Sequence, residues 1–276
     1  ERQAKAYFNF TDADDAKILR LYRRHATSQE IADAVGCSGA SVLRHLKKQG
    51  VKVRTNGQSR RGYNINEDVF ETIDTHAKAW ALGFIAGDGC VHKDRLSCNI
   101  QKGDIDCLCH LARLIGTKLP VKPKGHYVQF SVRSSKLVSD LNAVGIVERK
   151  SLVLKPWNGP EEFMPSYWLG LIDADGCWHK RAGRDHSWQL SLAGTRAVCD
   201  AFASFVESII GPIGSINKHF NISIYYLSGT ANIQAVAKVL YANAVVCMRR
   251  KKALADEILS RPAKHKQRSL QRNSRV

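Results

Sequence analysis

Two short segments of the sequence carry an acidic residue in the same setting. Residues 82–93 read LGFIAGDGCVHK and residues 169–180 read LGLIDADGCWHK, with eight of the twelve positions identical. An apolar run ends at Asp-Gly in each copy, at Asp88 and at Asp175. Carboxylate oxygens are ligands for hard divalent cations, which activate water for hydrolysis. The repeat therefore predicts that Asp88 and Asp175 bind a divalent metal, Mg²⁺ or Mn²⁺.

The residues before each acid indicate two helices that pack closely. Gly83 and Gly87 are four residues apart, as are Gly170 and Ala174, so each pair falls on one helix face. Small residues on facing stripes allow two helix axes to approach more closely than the usual separation of about 8–10 Å. The two acids would then meet at helix C-termini, where they repel each other unless a cation is bound. The alternative is that Asp-Gly only ends a helix and opens a turn; two matched copies favour metal binding.

The repeat extends well beyond the two motifs. Leu96-Ser97 recurs as Leu190-Ser191, and Arg149-Lys150 as Arg250-Lys251. Each copy has the order helix, two strands, helix, two strands, helix, which predicts α+β units over residues 76–158 and 159–260, with helices on one sheet face. The other sheet face is predicted to be exposed and polar.

Residues 1–50 have a different pattern. Helices are predicted near 14–25 and 28–35 and from Ser41 through Leu46, with Gly36 at a turn that needs a left-handed residue. This arrangement resembles the helix-turn-helix modules of bacterial resolvases and regulators, with Ser41 and Arg44 facing DNA. A small three-helix bundle without DNA contacts is the alternative. We predict a linker over 51–75 and a basic, disordered tail over 261–276.

Composition favours a globular protein with a polyanionic partner. The 276 residues are 44% hydrophobic and carry a formal net charge of +17, which favours nucleic acid. None of the eight cysteines lies in a C-x-x-C pair, so buried free thiols in a reducing compartment are expected. There is no apolar run of membrane-spanning length and no signal peptide, so we expect a cytoplasmic protein, or one in a DNA-containing compartment, that is not secreted.

Residues 82–89 and 169–176 resemble the signature of the LAGLIDADG homing endonucleases. The resemblance implies two pseudo-symmetric units whose saddle-shaped sheet binds DNA, in a monomer that contains both motifs. It assigns metal ligation to Asp88 and Asp175 but not to Asp173, whose counterpart is Ala86.

The resemblance also implies further residues near the cleavage centre. A lysine late in each unit assists the attacking water or the developing charge, and Lys150 and Lys251 match it, the second with an uncertain register. The alternative for each is an ordinary surface lysine. Gln101 fits a polar position that lines the pocket at the end of the first hairpin, where the second unit has Thr195. The two half-sites are therefore chemically unequal.

Strand alternation identifies candidate DNA-binding residues, although a merely solvent-facing strand would alternate in the same way. Arg, Asn and Gln can bond to base edges, whereas lysines on turns and strand ends suit phosphates. The predicted base-reading positions are Arg95, Ser97, Asn99, Gln101, Tyr127, Gln129, Ser131, Arg133, Gln189, Ser191, Asn217, Ser223 and Tyr225. The predicted phosphate contacts are Lys93, Lys122, Lys124 and Lys180.

The resemblance implies a site-specific homing endonuclease that makes a double-strand break in a long DNA target and leaves short 3′ overhangs. A non-catalytic DNA-binding regulator and an intron-splicing maturase are the alternatives. Retention of both acids favours the enzyme. An intron-encoded or free-standing gene is expected, because no splicing domain flanks the core. The sequence does not specify the target site.

Overall fold

A computed structural model describes residues 8–24, 26–61, 63–118, 121–180 and 188–262. The chain divides into two compact units. The first contains Glu1–Ile65 with Gly116–Leu119, and the second contains Asn66–Ile115 with Pro120–Val276. The predicted basic tail lies outside the described residues from position 263 onward, as does the loop 181–187. No helix in the described part of the chain is long and apolar enough to cross a membrane.

The first unit is helical. Its helices are α1 (Asp12–Arg23), α2 (Ser28–Val35), α3 (Gly39–Lys48) and the short α4 (Asn56–Arg61). Thr11 and Thr27 begin α1 and α2 with capping boxes that satisfy exposed backbone N–H groups. Gly36 ends α2 in the left-handed conformation at φ 82°, which glycine adopts without steric cost. The core of this unit consists of Ile18, Ile31, Ala32, Val42 and Leu46.

The segment after α3 packs on the helical unit instead of forming the predicted linker. Val51 and Val53 lie against its core. The backbone N–H of Arg54 donates to the Tyr22 hydroxyl at 2.6 Å, and the Arg54 guanidinium donates to the Ala26 carbonyl at 2.6 Å. Both valines are partly buried against the helices. The compact unit therefore extends to residue 65.

The second unit contains the duplicated α+β segments. The first copy comprises α5 (His76–Asp88), β1 (Gly89–His92), β2 (Arg95–Gln101), α6 (Ile105–Leu114), β3 (Lys122–Lys124), β4 (Tyr127–Arg133) and α7 (Ser135–Ala143). The second comprises α8 (Met164–Asp175), β5 (Gly176–Lys180), β6 (Trp188–Gly194), α9 (Arg196–Ile210), β7 (Ser215–His219), β8 (Ile222–Ser228), α10 (Thr230–Tyr241) and α11 (Arg249–Leu259). The predicted α+β order of each copy is confirmed.

Each copy forms its own antiparallel sheet of four strands. The orders are β1-β2-β4-β3 and β5-β6-β8-β7. Side chains alternate between a buried phase under the helices and a phase that points away from them, as in β2, where Leu96, Cys98 and Ile100 are buried. We call the second phase the outer face of each sheet. Matching register places Gly89 opposite Cys98 and Gly176 opposite Leu192, so positions in the two sheets can be compared one by one.

Candidate metal and nucleic-acid site

Helices α5 and α8 touch through their glycines. A Cβ added at Gly83 would lie 2.0 Å from the Tyr167 carbonyl oxygen, and one added at Gly170 would lie 2.0 Å from the Trp80 carbonyl oxygen. Neither position accommodates a side chain larger than hydrogen, since backbone atoms occupy the space. The predicted close approach of the two helices is confirmed. It explains why both helices are apolar on almost every side, because each is enclosed by its partner and by a sheet.

The same approach brings the two acids together. A Cβ added at Gly87, the residue before Asp88, would lie 2.3 Å from the Ala174 Cβ and 2.9 Å from Asp175 Oδ2. The carboxylate of α8 therefore lies against the last turn of α5. Both helices pass directly into a strand, β1 or β5, at the next residue, so the acids lie where the helix pair meets the two sheets.

Burial disfavours the charged form of both acids, and at Asp88 repulsion from Asp175 adds to it. Asp88 is half-buried, and burial followed by the charge of Asp175 raises the pKa of Asp88 to about 6. Asp175 is more exposed to solvent, yet partial desolvation at the helix junction also raises its pKa. Among the described residues, neither carboxylate has a hydrogen-bond donor or an ion pair at contact distance.

Two buried lysines complete the cluster. Lys150 donates to the Gly87 carbonyl at 2.9 Å, at the end of α5. Lys251 donates to the carbonyls of Ile172, Asp173 and Gly176 at 2.7 Å each, at the end of α8. These carbonyls lie in the last turns of α5 and α8 or directly after α8, where backbone carbonyls run short of intrahelical donors. Lys150 and Lys251 therefore make corresponding contacts at the ends of α5 and α8.

The lysine charges also reach the acids across the pseudo-twofold relation. Lys251 lowers the pKa of Asp88 more than Lys150 does, whereas Lys150 has the larger lowering effect on the pKa of Asp175. Burial lowers the pKa of both lysines. Each lysine thus donates to carbonyls at the end of its own helix, and its charge has the larger effect on the pKa of the acid of the other helix.

The donor set fits a hard divalent cation. Two apposed carboxylates offer anionic oxygens to which no described residue donates, and a bound cation would offset the Asp175 charge that, after burial, raises the pKa of Asp88. No group of three or more His, Cys, Asp or Glu side chains able to hold a metal occurs among the described residues. A cation here would accordingly complete its shell with water or substrate oxygens, as Mg²⁺ commonly does.

Asp173 lies away from this cluster. It is fully buried and accepts hydrogen bonds from Trp80 Nε1 and from the Met248 backbone N–H, both at 2.8 Å. Burial raises the pKa of Asp173 to about 6. These contacts connect α8 to α5 and to the start of α11, which is the role of a structural residue.

The outer face of the first sheet is polar and basic. Arg95, Ser97, Asn99 and Gln101 on β2 share it with Arg133, Ser131, Gln129 and Tyr127 on β4, and Lys122 and Lys124 pair with Gln129 and Tyr127. All ten predicted positions on these strands therefore point away from the helices. Lys93 lies in the β1–β2 turn with φ 55°, and its side chain is exposed.

The outer face of the second sheet differs from the prediction on β8. Ser223 and Tyr225 were expected to point outward, but both are buried, at 7% and 1% exposure. The Tyr225 hydroxyl donates to the Ile213 carbonyl at 2.9 Å, and its ring packs edge-on against Phe202 of α9. Apolar residues occur on both sides of this strand. Tyr225 and Leu227 pack under the helices, and this packing decides which side of β8 faces inward. Ile222, Ile224 and Tyr226 consequently occupy the outer face.

The other predicted positions of the second copy lie on β5, β6 and β7. Gln189 and Ser191 lie on the outer face of β6, and Asn217 is exposed on β7 opposite Ile224. Lys180 pairs with the buried Trp188, and its ammonium lies 3.5 Å from Glu257 of α11. Its side chain is therefore directed towards α11 and away from the outer face, contrary to the expected phosphate contact.

In the helical unit, Arg44 is exposed on α3, and Ser41 is half-buried with its hydroxyl 2.9 Å from that of Ser38. Both residues line an open cavity with Phe10, Cys37 and Lys48. The two buried residues of α3, Val42 and Leu46, lie on the opposite side of the helix.

Two exposed cysteines that follow the acids were not predicted as part of the site. Cys90 and Cys177 are both exposed, on β1 and β5, although buried thiols were expected. They stand opposite Ser97 and Ser191 on the outer faces. The alternation within each four- or five-residue strand carries this information, since Val91 and Trp178 are the buried partners.

Comparisons with known proteins return fold similarities only. No protein-family model and no curated protein matches the sequence. The chain is similar to the LAGLIDADG homing endonuclease I-GzeII in complex with its DNA target, at 12% identity and a TM-score of 0.49, over 64% of this chain and 87% of that chain. It is similar to the LAGLIDADG meganuclease I-AabMI bound to uncleaved DNA, at 13% identity and a TM-score of 0.46, over 65% and 91%. The LAGLIDADG homing endonuclease I-SmaMI bound to cleaved DNA matches at 14% identity and a TM-score of 0.46, over 64% and 86%.

Proposed function

We propose that this chain is a site-specific DNA endonuclease that hydrolyses one phosphodiester in each strand of a long duplex target and leaves short 3′ overhangs. The observation that carries the proposal is the meeting of Asp88 and Asp175 at the ends of two glycine-packed helices. An acid pair to which no described residue donates a hydrogen bond, at the junction of two sheets, is costly for a purely structural protein.

The two acids are the proposed metal ligands. A divalent cation bound there would activate water and stabilise the departing oxygen of a phosphodiester. The carboxylates hold and orient it, and their shared position between two equivalent halves suits two antiparallel strands. Asp88 and Asp175 come from different copies of the repeat, so a related acid is presented to each strand.

Lys150 and Lys251 are proposed to set the electrostatics of cleavage. Each ammonium is fixed by helix carbonyls, so little reorganisation is needed when negative charge develops on a phosphate. Gln101 is the proposed polar contact in the first half, on the outer face of β2. Its counterpart Thr195 is committed elsewhere, because it begins α9 and donates to the Leu154 carbonyl at 2.7 Å.

The outer faces of the two sheets are the proposed DNA-binding surface. Because β1 and β5 start at the residues after the acids, both faces flank the metal site. A net charge of +17 favours a polyphosphate partner. Arg44 and Ser41 on α3 are proposed as further DNA contacts of a helix-turn-helix module, and Arg44→Glu is expected to shorten the protected footprint.

The direct test is cleavage of a randomised duplex pool by the full chain with Mg²⁺, followed by sequencing of cut ends. We expect a defined site, short 3′ overhangs and no cleavage in excess EDTA. Asp88→Asn and Asp175→Asn should each abolish double-strand cleavage while binding is retained. Asp173→Asn is the matched control: its amide oxygen still accepts from Trp80 and Met248, so it should cut.

Two results would contradict the proposal. Normal cleavage by either Asp88→Asn or Asp175→Asn would remove the metal assignment. Sequence-specific binding by the unmodified chain, without any cut in Mg²⁺ or Mn²⁺, would instead make it a DNA-binding regulator.

A further inference from the structure

The two outer faces differ at matched positions, as strand register shows. Four positions carry Arg95, Lys122, Lys124 and Arg133 in the first sheet. The equivalent positions in the second sheet carry Gln189, Asn217, His219 and Ser228. Among the described strands, every lysine or arginine on the outer face of the first sheet thus has an uncharged or weakly basic counterpart on the outer face of the second.

A second difference concerns hydrogen-bonding capacity. Asn99 and Gln129 are cross-strand neighbours on the first outer face. Their counterparts, Ala193 and Ile224, are also cross-strand neighbours. Tyr127 is matched by Ile222 at the next outward position. The second sheet therefore presents an apolar patch, which we define as Ala193, Ile222 and Ile224, where the first presents amides and a phenol.

The patch lies beside the acidic site. Gly176, the residue after Asp175, pairs with Leu192. Ala193 is the next residue of β6 and therefore lies near the end of α8 that carries Asp175. The patch is partly exposed, with all three residues in the intermediate range, and polar Ser191 and Asn217 border it. This apolar surface adjoins the proposed DNA-cleavage centre of a strongly basic protein. It fits a ligand whose backbone is anionic and whose inner surface offers apolar groups.

We infer that the second sheet recognises its half of the DNA target by apolar contact with thymine methyl groups, whereas the first sheet recognises its half by hydrogen bonds and phosphate contacts. The inference rests on the proposed function. In the major groove, the thymine C5-methyl is the apolar feature that distinguishes base pairs, and small aliphatic side chains contact it. Arginine, asparagine and glutamine instead bond to guanine and adenine edges. The target is therefore asymmetric, with a thymine-dependent half under β6 and β8.

The test uses binding, so it does not depend on cleavage. Duplexes bound by the full chain without added divalent metal are selected from a randomised pool, and the recovered duplex is the probe. Thymines are then replaced by uracil, which lacks only the methyl, in one half-site at a time. Each contacted methyl is expected to contribute about threefold in affinity. Uracil in the second half-site should weaken binding at least about tenfold when several methyls are lost, and uracil in the first about twofold or less.

Two surface variants test which sheet contacts which half of the target, and a modified base tests whether the methyl group alone restores affinity. Ile224→Gln, which copies Gln129, should remove thymine preference in one half only, and Gln129→Ile should create it in the other. At a thymine replaced by cytosine, 5-methylcytosine should restore part of the affinity, because it returns the methyl.

The outcomes separate the inference from the function on which it rests. If no duplex is enriched, the proposed function fails. Enrichment with no effect of uracil in either half, or with equal effects in both, overturns the thymine inference alone, as does an Ile224→Gln variant with unchanged base preferences.

Discussion

The two copies agree at their centre and diverge at their outer faces. At the centre, a Cβ added at Gly83 or at Gly170 would lie 2.0 Å from a backbone carbonyl oxygen of the other helix, and Lys150 and Lys251 donate to carbonyls at the ends of α5 and α8. On the outer faces, a basic and amide-rich sheet stands against a neutral and partly apolar one. The helix pair tolerates little change because backbone meets backbone, whereas an exposed strand position accepts many residues. The two copies are thus alike at the helix pair and differ on the exposed faces of their sheets.

The largest expected effect tests the symmetry of the centre. Gly83→Ala and Gly170→Ala each place a Cβ 2.0 Å from a backbone carbonyl oxygen of the other helix, so the helices must separate. Each should lower the free energy of unfolding by about 3 kcal/mol or more in urea titrations. Gly103→Ala is the control, since nothing lies within 4 Å of an added Cβ there. A large difference between the two central variants would break the symmetry.

The supporting lysines should be unequal. Lys251→Met removes donors from three carbonyls at 2.7 Å, whereas Lys150→Met removes one at 2.9 Å. Buried acceptors that lose their donors are costly. We expect losses of about 3 kcal/mol for Lys251→Met and about 1 kcal/mol for Lys150→Met in chemical denaturation. Equal losses would show that the second lysine is no more structural than the first.

The charge difference between the sheets predicts a salt effect. Lys122→Gln with Lys124→Gln should lower the slope of log affinity against log salt by about 1.8, from about 0.9 per phosphate contact. Arg196→Gln with Lys238→Gln, on helices α9 and α10, is the matched control and should leave the slope unchanged. An unchanged slope in the first pair would place the DNA elsewhere.

A further expected effect concerns Asp88 and pH. Because the folded-state pKa of Asp88 is raised to about 6, protonation stabilises the metal-free fold; this stability is present below about pH 4 and lost as pH rises through about 6. Asp88→Asn should therefore increase the free energy of unfolding above pH 7 by about 1–2 kcal/mol after allowance for solvent screening, with no gain near pH 4. Glu161→Gln on the surface is the control.

Magnesium sharpens that prediction. Saturating Mg²⁺ should stabilise the unmodified chain more than Asp88→Asn, so that the advantage of the variant disappears in thermal melts. A variant that remains equally advantaged in Mg²⁺ would argue that Asp88 binds no cation.

Repeated, periodic features were predictable from sequence. The repeat places Asp88 and Asp175 in equivalent helices, and spacing of Gly83 and Gly87 identifies the contact face, because helical periodicity converts position into direction. The order of elements in each copy follows from the same patterning. On β8, by contrast, Ile222, Ile224, Tyr225 and Leu227 make both phases apolar, so alternation alone does not choose the outer face.

The duplicated helix–acid motif, the α+β order and the basic character are local or compositional features, so all three can be inferred from the amino-acid sequence alone. Tertiary packing decided the rest. Burial of Tyr225 against α9 turned Ser223 inward and Ile224 outward, the ion pair with Glu257 directed Lys180 towards α11, and helix-end carbonyls enclosed Lys251. Each of these depends on partners distant in sequence. A shift of one residue turns a strand's side chains to the opposite sheet face, so the packed elements decide which side chains face inward, and they likewise supply the contacts of a buried lysine.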